Sequence, residues 1–469
     1  MKVVILGGGP GGYVCAIRVA QLGADVAIIE KERMGGTCLN VGCIPTKVLL
    51  HTTELYRTIK EESKKLGIKV DNLDIDWTVL QERKESVVDQ LVSGIENLLK
   101  SNNILKISGE GKFISDNEIR VTLPNGKKEI IKFDKAVIAT GSETIRIPLE
   151  GAELDEVITS NEALSLKEIP ESMCIIGGGV IGSEFASIYS SLGTKVTIIE
   201  MLPEILPTMD DDIVGILKNQ LIQLGADIYT KTRVVCIQEN NEKLVVDTRS
   251  GESKQSFVVE KVLLAVGRKP VTKNLGLEEI GVKVDKGAIV VDRRTMETNV
   301  KNIYAIGDCN GGVLLAHVAS AEGIAAAENI MGRASKIDFK TTPSAVYTKP
   351  ELASVGLTER EAKNQGYEVK IGSFPLFANG KSLIMGETNG IVKFVVDANT
   401  DEILGIHMAG PRATDLIMEG GLALRLEATV EEIITTIHAH PTIGEAFHEA
   451  AHAVHNSSIH LPVARGCFV

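Results

Sequence analysis

One sequence pattern occurs twice in this chain, and it constrains the fold more than any other feature. Residues 3–30 read VVILGGGPGGYVCAIRVAQLGADVAIIE, and residues 173–200 read MCIIGGGVIGSEFASIYSSLGTKVTIIE. Each copy predicts a buried strand, a glycine-rich turn, a helix and a second strand that ends in an acid. This is the βαβ unit of a dinucleotide-binding fold, so its repetition predicts an α/β protein with two Rossmann-like domains.

The glycines and acids of the two copies fall on matching positions, 170 residues apart. The three glycines of a GxGxxG turn allow a tight turn, close approach of the backbone to a pyrophosphate, and close packing of helix on strand. The acid follows the third glycine by 18 residues, where a carboxylate binds ribose hydroxyls and repels a 2′-phosphate. Both sites are therefore predicted to prefer FAD or NAD to NADP; the alternative is that the glycines only pack helix against sheet. The residues are Gly7, Gly9, Gly12 and Glu30 in the first copy, and Gly177, Gly179, Gly182 and Glu200 in the second.

Length and composition limit the function classes. The chain has 469 residues, 44% of them hydrophobic, which is enough for about three domains. A net charge of −12 argues against nucleic acid or an anionic membrane surface as the main partner, because both attract clustered lysine and arginine. No apolar run is long enough to predict a membrane helix, and Met1 leads directly into the strand KVVIL without a signal sequence. A cytoplasmic location is therefore expected.

Two of the seven cysteines lie close together, in GGTCLNVGCIPTK at residues 35–47. Cys38 and Cys43 are five positions apart, and a helical stretch brings such side chains within disulfide reach if the turn is distorted. The other cysteines are scattered singly, unlike the framework of a secreted disulfide-rich protein. No second cysteine pair or nearby histidine completes a zinc site. The pair is predicted to be a redox centre, with a zinc site or a structural disulfide as alternatives.

In three further segments, a glycine follows an apolar strand: ATGS at 139–142, KVLLAVGR at 261–268 and IYAIGDC at 303–309. Doubly wound sheets bind ligands at the carboxyl ends of their strands, so Asp308 is expected at a ligand site. After about residue 338 the pattern changes to EVKIGSF, GIVKFVVD and EILGIHMAG followed by helical runs. This change predicts a C-terminal α+β module.

Taken together, these motifs resemble the pyridine nucleotide-disulfide oxidoreductase family. The segment GGTCLNVGCIPTK is followed, in the family's order, by ATGS, GGGVIGSE, AVGR, IGDC, LLAH, VYTKPELASVGLTE and HAHPTIGE, so the resemblance covers essentially the whole chain. Within the family the chain is most similar to the dihydrolipoyl dehydrogenase group. The resemblance implies four domains: FAD-binding at 1–147, NAD-binding at 148–267, a central domain that completes the FAD site at 268–338, and a dimerisation domain at 339–469.

The resemblance also implies which residues bind the cofactors FAD and NAD, and it implies no metal. The residues implied for FAD are Gly7, Gly9, Gly12, Glu30, Thr37, Lys47, Gly111, Thr140, Gly141, Ser142, Asp308, Leu314, Leu315, Ala316 and His317. Those implied for NAD are Gly177, Gly179, Gly182, Glu184, Glu200, Val234 and Gly267.

The catalytic roles likewise come from the resemblance. Cys38 matches the thiol that exchanges with substrate, Cys43 the thiol that faces the flavin, His440 the base and Glu445 the carboxylate that orients it. In the family, a homodimer brings the base of one chain to the cysteines of the other. The implied reaction is reoxidation of protein-bound dihydrolipoamide by NAD⁺, with the lipoyl domain of an acyltransferase component of a 2-oxoacid, acetoin or glycine-cleavage system as partner.

Two of these residues keep a second interpretation. Glu184 matches an acid that pairs with Lys47, but it is also interpreted as a helix-dipole partner in the first turn of its helix. Glu445 follows Thr442 by three positions, which is the T-x-x-E spacing of a capping box. Because one carboxylate serves both tasks poorly, the orienting role of Glu445 is favoured over the cap.

Rival functions are weaker. Glutathione-type reductases carry basic residues after the second strand, where this chain has Glu200 and MLPEILP, and mercuric reductases end in a vicinal cysteine pair, where it has the single Cys467. A purely binding flavoprotein would not need the cysteine pair together with His440. His448, Glu449 and His452 spell the HExxH pattern of zinc hydrolases. That pattern has no good third ligand here, so surface or interface histidines are expected instead.

Overall fold

The computed structural model of the protein describes residues 1–462. The first 147 residues contain the first copy of the repeat and two long helices. Their elements are β1 (Lys2–Leu6), α1 (Pro10–Gln21), β2 (Asp25–Glu30), α2 (Gly36–Val41), α3 (Cys43–Glu62), α4 (Trp77–Ser101), β3 (Leu105–Ser108), β4 (Glu110–Ser115), β5 (Glu118–Thr122), β6 (Lys128–Lys132), β7 (Lys135–Ile138) and β8 (Ser142–Thr144).

The second copy and the segment after it follow the same plan. The elements of residues 148–267 are β9 (Val157–Thr159), α5 (Ser160–Ala163), β10 (Ser172–Ile176), α6 (Val180–Ser191), β11 (Lys195–Ile199), α7 (Asp211–Gln223), β12 (Asp227–Tyr229), β13 (Arg233–Asn240), β14 (Lys243–Ser250), β15 (Ser253–Val259) and β16 (Lys261–Leu264). Those that follow are β17 (Arg268–Pro270), β18 (Val284–Asp285), β19 (Ala288–Ile289), β20 (Ile303–Ala305) and α8 (Ala316–Ile330), with a short 3-10 helix at Gly307–Asn310.

Two five-stranded parallel sheets form the repeated units. Their strand orders are β20-β7-β1-β2-β3 and β12-β11-β10-β16-β9. The apolar strands β1 and β10 lie at the centre with four of their five residues buried, as expected where helices or other strands cover both faces of a parallel sheet. Each unit also carries a three-stranded antiparallel sheet, β4-β5-β6 or β13-β14-β15. The sequence repeat therefore extends to whole units of structure.

The segment after the second unit returns to the first. Strand β20 adds to the edge of the first sheet beside β7, and β17 pairs with β8. Helix α8 packs on α1 so closely that a Cβ at Gly323 would lie 2.6 Å from the carbonyl oxygen of Gly11. The first unit is thus completed by residues about 300 positions downstream.

The remaining chain forms an antiparallel sheet covered by helices. The elements are β21 (Ser344–Val346), β22 (Glu351–Gly356), α9 (Glu359–Asn364), β23 (Val369–Pro375), α10 (Gly380–Met385), β24 (Ile391–Asp397), β25 (Ile403–Gly410), α11 (Ala413–Arg425), α12 (Val430–Thr435) and α13 (Glu445–Val454), with 3-10 helices at Phe339–Thr341 and Leu376–Ala378. The sheet order is β21-β22-β25-β24-β23, and Phe394 meets Phe447 edge-on in its core at 6.1 Å. The predicted fold class, two Rossmann-like units and a C-terminal α+β module, is confirmed.

Within residues 1–462, no helix combines the length and the apolar character needed to cross a bilayer.

Candidate active site

The first and third glycines of each GxGxxG turn are required by the protein's own backbone. Gly7 and Gly177 have φ of +110° and +109°, a left-handed conformation that glycine adopts at little cost. A Cβ at Gly12 would lie 1.9 Å from the carbonyl oxygen of Gly7, and Gly182 shows the same conflict with Gly177 at 2.0 Å. These four positions therefore fix the approach of helix to strand.

The middle glycines have no such structural reason. Gly9 and Gly179 have ordinary φ values of −69° and −71° and are the N-caps of α1 and α6. A Cβ at Gly179 would meet no other atom of the described chain within 4 Å, and at Gly9 the nearest atom, the Cα of Gly36, is 4.0 Å away. The space that a side chain would fill lies at a helix N-terminus, where backbone N–H groups attract phosphate. Both turns therefore fit the pyrophosphate of a dinucleotide.

The two acids make equivalent contacts. Glu30 accepts hydrogen bonds from the amides of Gly8 at 2.6 Å and Glu32 at 2.8 Å. Glu200 accepts them from Gly178 at 2.6 Å and Leu202 at 2.7 Å. In each case the two bonds use different carboxylate oxygens, and each oxygen keeps a second lone pair. Both acids are thus held in place with acceptor capacity left for the hydroxyls of a ribose.

The cysteine pair spans a break between two helices. Cys38 lies in α2 and Cys43 is the first residue of α3, with Gly42 between the helices at φ −144° and ψ −116°. A Cβ at Gly42 would lie 2.8 Å from the carbonyl oxygen of Thr37. The distortion expected within one helical stretch is therefore a helix break that depends on glycine. Both cysteines are free thiols. Cys38 is half-buried, and Cys43 is exposed to solvent although its sulfur lies among protein atoms.

The two thiols have unequal acidities. A hydrogen bond from the Cys38 thiol, together with the nearby charge of Lys47, lowers the pKa of Cys43 to about 7 against the opposing effect of burial. The same hydrogen bond, with burial, raises the pKa of Cys38. When one proton is removed from the pair, the charge therefore rests on Cys43.

Lys47 joins the cysteine helix to the second unit. Its Nζ lies 2.8 Å from both carboxylate oxygens of Glu184 and 4.6 Å from the centre of the Tyr347 ring. The backbone amide of Tyr347 donates to Glu184 at 3.1 Å. Glu184 is the fifth residue of α6 and lies beyond its first turn, so its interpretation as a helix-dipole partner is wrong, because that effect fades after the first turn.

Arg268 is a site residue that the motif analysis missed. Its guanidinium donates to the Ser142 hydroxyl at 2.7 Å and to Thr37 at 3.3 Å, and the Ser142 hydroxyl donates to Asp308 at 2.5 Å. Three residues implied for FAD are thereby joined through one cation. The signal was present in AVGR, where Arg268 directly follows Gly267, but only the tertiary structure shows what the arginine binds.

The other residues implied for FAD lie in two groups. Thr140 donates to the carbonyl of Val271 at 2.6 Å, and Gly141 follows it with φ +70°. Leu314, Leu315, Ala316 and His317 surround the start of α8, where Nε2 of His317 lies 3.0 Å from the carbonyl oxygen of Pro343. Gly111 instead lies in β4, where a Cβ would be 2.6 Å from the side chain of Leu6, so close packing explains this glycine.

Val234 and Gly267, the last two residues implied for NAD, are explained by different structural features. Val234 is buried in β13 at an irregularity of the strand pairing. Gly267 has φ +114°, and a Cβ there would meet no described atom nearer than 3.8 Å. Backbone conformation thus explains Gly267, and core packing explains Val234.

His440 and Glu445 form a couple in the C-terminal module. The His440 Nδ1 lies 2.8 Å from one oxygen of Glu445, and the amide of Thr442 donates to the other oxygen at 2.8 Å. Glu445 therefore performs both tasks, one with each oxygen. Although burial raises its pKa, the hydrogen bonds from Thr442 and His440 hold it below the ordinary value.

The predicted capping box at Thr442 is only half formed. Helix α13 begins at Glu445 with Gly444 as its N-cap, and the Thr442 hydroxyl donates to Ala439 instead. The His440 side chain is 77% exposed. Within residues 1–462 of a single chain, no hydrogen bond or ion pair links it to Cys38.

The HExxH residues have other partners. Glu449 accepts hydrogen bonds from the Ser458 hydroxyl and from the amides of Ile459 and His460. His448 bonds the carbonyl of Ile434, and His452 bonds Ser457. Glu449 therefore fastens the segment after α13. Among residues 1–462, no cluster of three or more suitable side chains forms a metal site; Cys467 lies outside the described residues.

Residues 1–323 match the family model described as pyridine nucleotide-disulphide oxidoreductase, and residues 342–451 match the dimerisation domain of that family. The chain belongs to the pyridine nucleotide-disulphide oxidoreductase family. The predicted family membership is confirmed, and the family's dimerisation domain contains His440 and Glu445.

Individual members of this family are similar over almost their whole length. The mitochondrial dihydrolipoyl dehydrogenase of Pisum sativum is 42% identical over 465 residues, which is 98% of this chain and 92% of the relative. The dihydrolipoyl dehydrogenase of Bacillus subtilis is 43% identical over 472 residues, covering 98% and 99%. The solved structure of the HOCl-induced flavoprotein disulfide reductase RclA from Escherichia coli is 31% identical with a TM-score of 0.85, covering 95% of this chain and 98% of that one.

Proposed function

We propose that this family member is a dihydrolipoyl dehydrogenase that uses FAD and NAD⁺ to reoxidise protein-bound dihydrolipoamide. The observation that carries the proposal is the position of the Cys38–Cys43 dithiol at the junction of the two nucleotide-binding units, where Lys47 and Glu184 join them. The near full-length similarity to dihydrolipoyl dehydrogenases supports the choice of substrate. Glu200, held in place by two backbone amides, supports NAD⁺ over NADP⁺.

The proposed reaction begins with the cysteines as a disulfide. His440 takes a proton from one substrate thiol, and the resulting thiolate attacks the Cys38 sulfur. The new sulfur–sulfur bond forms as the Cys38–Cys43 bond breaks, and Cys43 leaves as a thiolate. The second substrate thiol attacks the substrate sulfur of the mixed disulfide and gives its proton to the leaving Cys38 sulfur. This step releases lipoamide and returns Cys38 as a thiol, while the first proton stays on His440. Bound FAD supplies the electron acceptor that regenerates the disulfide, and NAD⁺ takes the electron pair as a hydride.

The acidities of the two thiols support this order of attack. In thiol–disulfide exchange, the thiol of lower pKa is the better leaving group. The pKa of Cys43 is lowered to about 7, whereas that of Cys38 is raised. Attack on Cys38 expels Cys43, which is the easier of the two directions.

His440 is proposed as the base and Glu445 as the residue that orients it. The Glu445 oxygen at 2.8 Å from Nδ1 fixes the tautomer that leaves Nε2 as the proton acceptor. Because His440 is exposed, its partner thiol is proposed to come from a second chain. The dimerisation domain supports a homodimer in which His440 of one chain faces Cys38 of the other.

The proposal includes the domain division at 1–147, 148–267, 268–338 and 339–469. The segment 148–267 contains all strands of the second parallel sheet. Strand β20 lies in the segment 268–338 and joins the first sheet. The partner proposed for the dimer is a lipoyl domain of an acyltransferase component or an equivalent carrier. A cytoplasmic location remains part of the proposal, whereas the pea relative is described as mitochondrial.

The test is NADH formation from dihydrolipoamide by the purified, yellow holoenzyme. Cys38→Ser and Cys43→Ser are expected to abolish turnover while FAD stays bound, because each removes one sulfur of the shuttle. Cys236→Ser is the matched control, since that half-buried thiol lies in β13, away from the pair. Full activity of either shuttle variant would refute the mechanism. Activity with a different disulfide, but none with lipoamide, would replace the substrate and keep the redox centre.

A further inference from the structure

His438, the first histidine of HAHPTIGE, has no task in the proposed reaction, yet both of its ring nitrogens have partners. Nε2 lies 2.9 Å from a carboxylate oxygen of Glu419 on α11, and Nδ1 lies 2.9 Å from the carbonyl oxygen of Thr436. Its side chain is 10% exposed, whereas that of His440, two residues later, is 77% exposed. The buried histidine and the exposed histidine share one loop.

This loop, residues 436–444, joins α12 to α13. The His438 ring lies beside Gly444, the N-cap of α13, where a Cβ would be 3.8 Å from its Cδ2 atom. The Thr442 hydroxyl donates to the carbonyl of Ala439 at 2.7 Å and closes the segment that carries His440. His438 therefore bonds the loop at Thr436, lies beside its last residue Gly444, and ties it to α11 through Glu419.

We propose that the His438–Glu419 pair is a positioning device for the His440–Glu445 couple, holding the loop at the geometry that proton transfer requires. This inference rests on the proposed function of His440 as the base. A general base acts only within hydrogen-bond reach of its proton. An exposed histidine whose one hydrogen bond among residues 1–462 is to Glu445 needs an anchor elsewhere in its loop to hold the backbone.

The anchor depends on one proton. Because a carbonyl oxygen only accepts, Nδ1 of His438 carries a hydrogen. The contact with Glu419 then holds one further proton between Nε2 and the carboxylate. Without that proton, a nitrogen lone pair would face a carboxylate oxygen, so the contact is a hydrogen bond only while the shared proton is present. A glutamine at 419 would donate its amide N–H to the unprotonated nitrogen and make the contact independent of that proton.

Other titratable groups surround the pair. From α13, the His448 ring lies 5.6 Å from that of His438, and His452 lies 4.6 Å from His448. Glu431 of α12 and Glu449 of α13 act on His452, and His440 and Glu445 lie along the loop. His448 is bonded to the carbonyl of Ile434, so Glu419 is the carboxylate that directly contacts His438.

The experiment compares wild-type holoenzyme with Glu419→Ala and Glu419→Gln. Amide hydrogen exchange of residues 436–444 and the pH profile of kcat/KM for dihydrolipoamide are measured on each. Glu419→Ala is expected to speed exchange in the loop and to lower kcat/KM about tenfold. Glu419→Gln is expected to restore both across the pH profile, because its amide N–H can donate to Nε2 of His438.

His455→Ala is the matched control. His455 makes a similar pair with Asp401 at 2.9 Å in the same module, at the far end of α13, so its loss is expected to leave loop exchange unchanged. NADH-dependent reduction of a dye that takes electrons from the flavin needs no base and is expected to be equal in all variants.

Four outcomes would overturn the inference: unchanged loop exchange in Glu419→Ala, equal losses in both Glu419 variants, faster loop exchange in the control, or a parallel loss of dye reduction. Failure of the proposed function gives a different result. Wild-type enzyme would then lack dihydrolipoamide turnover, while Glu419→Ala still speeds exchange in the loop and Glu419→Gln restores it.

Discussion

The two nucleotide-binding units share one backbone arrangement. They differ in the helix that packs against the helix of the βαβ repeat. In the first, α1 packs against α8, while in the second, α6 packs against α3, the helix that begins at Cys43. The glycine turns and the acids at the strand ends are equivalent in both units. The second unit therefore meets the cysteine helix through α6, the helix that matches α1 of the first unit.

A single position marks this difference most clearly. Val14 in α1 matches Glu184 in α6, 170 residues later. Val14 is half-buried, whereas Glu184 is almost fully buried and holds Lys47 through two 2.8 Å contacts. Because a buried carboxylate is costly unless paired, this one residue fixes the second unit against the cysteine helix. A duplicated nucleotide fold thus differs in function through its neighbours.

The largest effects are expected from substitutions of the middle glycines, Gly9 and Gly179, and they should differ between the two units. Gly9→Val is expected to prevent FAD binding and give colourless, inactive protein, because the side chain fills the pyrophosphate space. Gly179→Val is expected to keep FAD and to raise the KM for NAD⁺ by about a hundredfold or more. Flavin absorbance and NAD⁺ kinetics measure the two effects.

Gly182→Ala is the control for these variants, since its Cβ would lie 2.0 Å from a carbonyl oxygen and should destabilise the fold itself. Loss of FAD in Gly179→Val would contradict the assignment of separate cofactors to the two units.

The second effect tests the acids. Glu200→Gln removes the negative charge but keeps the shape, and it is expected to raise the KM for NAD⁺ roughly ten- to a hundredfold, the loss typical of a charge-assisted hydrogen bond. Discrimination against NADP⁺ is expected to fall at the same time, because repulsion of the 2′-phosphate is lost. Steady-state kinetics with both nucleotides measure this. An unchanged preference would show that Glu200 does not select the nucleotide.

The third effect concerns the contact between the units. Lys47 lowers the pKa of Cys43 and Glu184 raises it. Because the pKa is held near 7, the Cys43 thiolate is present above about pH 7 and is lost as the pH falls below it. Lys47→Met is expected to move this midpoint upward by about one pH unit, and Glu184→Gln is expected to move it downward.

The rate of Cys43 alkylation in the reduced enzyme, followed against pH by mass spectrometry, measures the midpoint. A midpoint that moves in the same direction in both variants would contradict the charge assignment.

The smallest effect is expected at Arg18, which is compared with its matched position on the second helix. Arg18 of α1 makes a half-exposed ion pair with Glu328 at 2.7 Å, whereas the matching Ile188 of α6 is fully buried. Arg18→Ala is expected to lower the free energy of unfolding by about 1 kcal/mol or less, and Ile188→Ala by about 2–5 kcal/mol. Urea unfolding measures both, and equal losses would contradict the difference in packing.

Much of the fold could be predicted from local patterns. The turn glycines Gly7 and Gly12 and the acid Glu30 are set by steric and hydrogen-bonding needs that repeat identically in the second unit, so their spacing alone revealed both units. Helix α4, by contrast, was not predicted, although its buried residues Leu80, Val88, Val92, Ile95 and Leu99 recur at helical spacing. It contains no motif of known chemistry. Its amphipathic pattern was the sequence feature from which this helix could have been predicted.

The candidate site could be predicted only in part. Glu445 was expected to serve either His440 or the Thr442 amide, but its two oxygens serve both, a geometry that spacing does not reveal. Arg268 and the Tyr347 amide reach the site from distant segments, and their contacts leave no local pattern. HEAAH is a local pattern without the predicted contacts. Its spacing fits a zinc site, but Glu449 accepts hydrogen bonds from Ser458 and its neighbours.

The sequence by itself therefore determined the two nucleotide folds, the order of the units and the identity of the cysteine pair, because backbone sterics, strand burial and helix spacing act over short distances along the chain. The tertiary structure alone decided that Arg268 joins Thr37 to Ser142, that one Glu445 carboxylate serves both His440 and Thr442, and that His438 ties the His440 loop to α11. Each of these contacts joins segments far apart in sequence or depends on the orientation of a side chain. Their partners are chosen by packing and by the cost of burying an unpaired charge, and neither can be read from residue spacing.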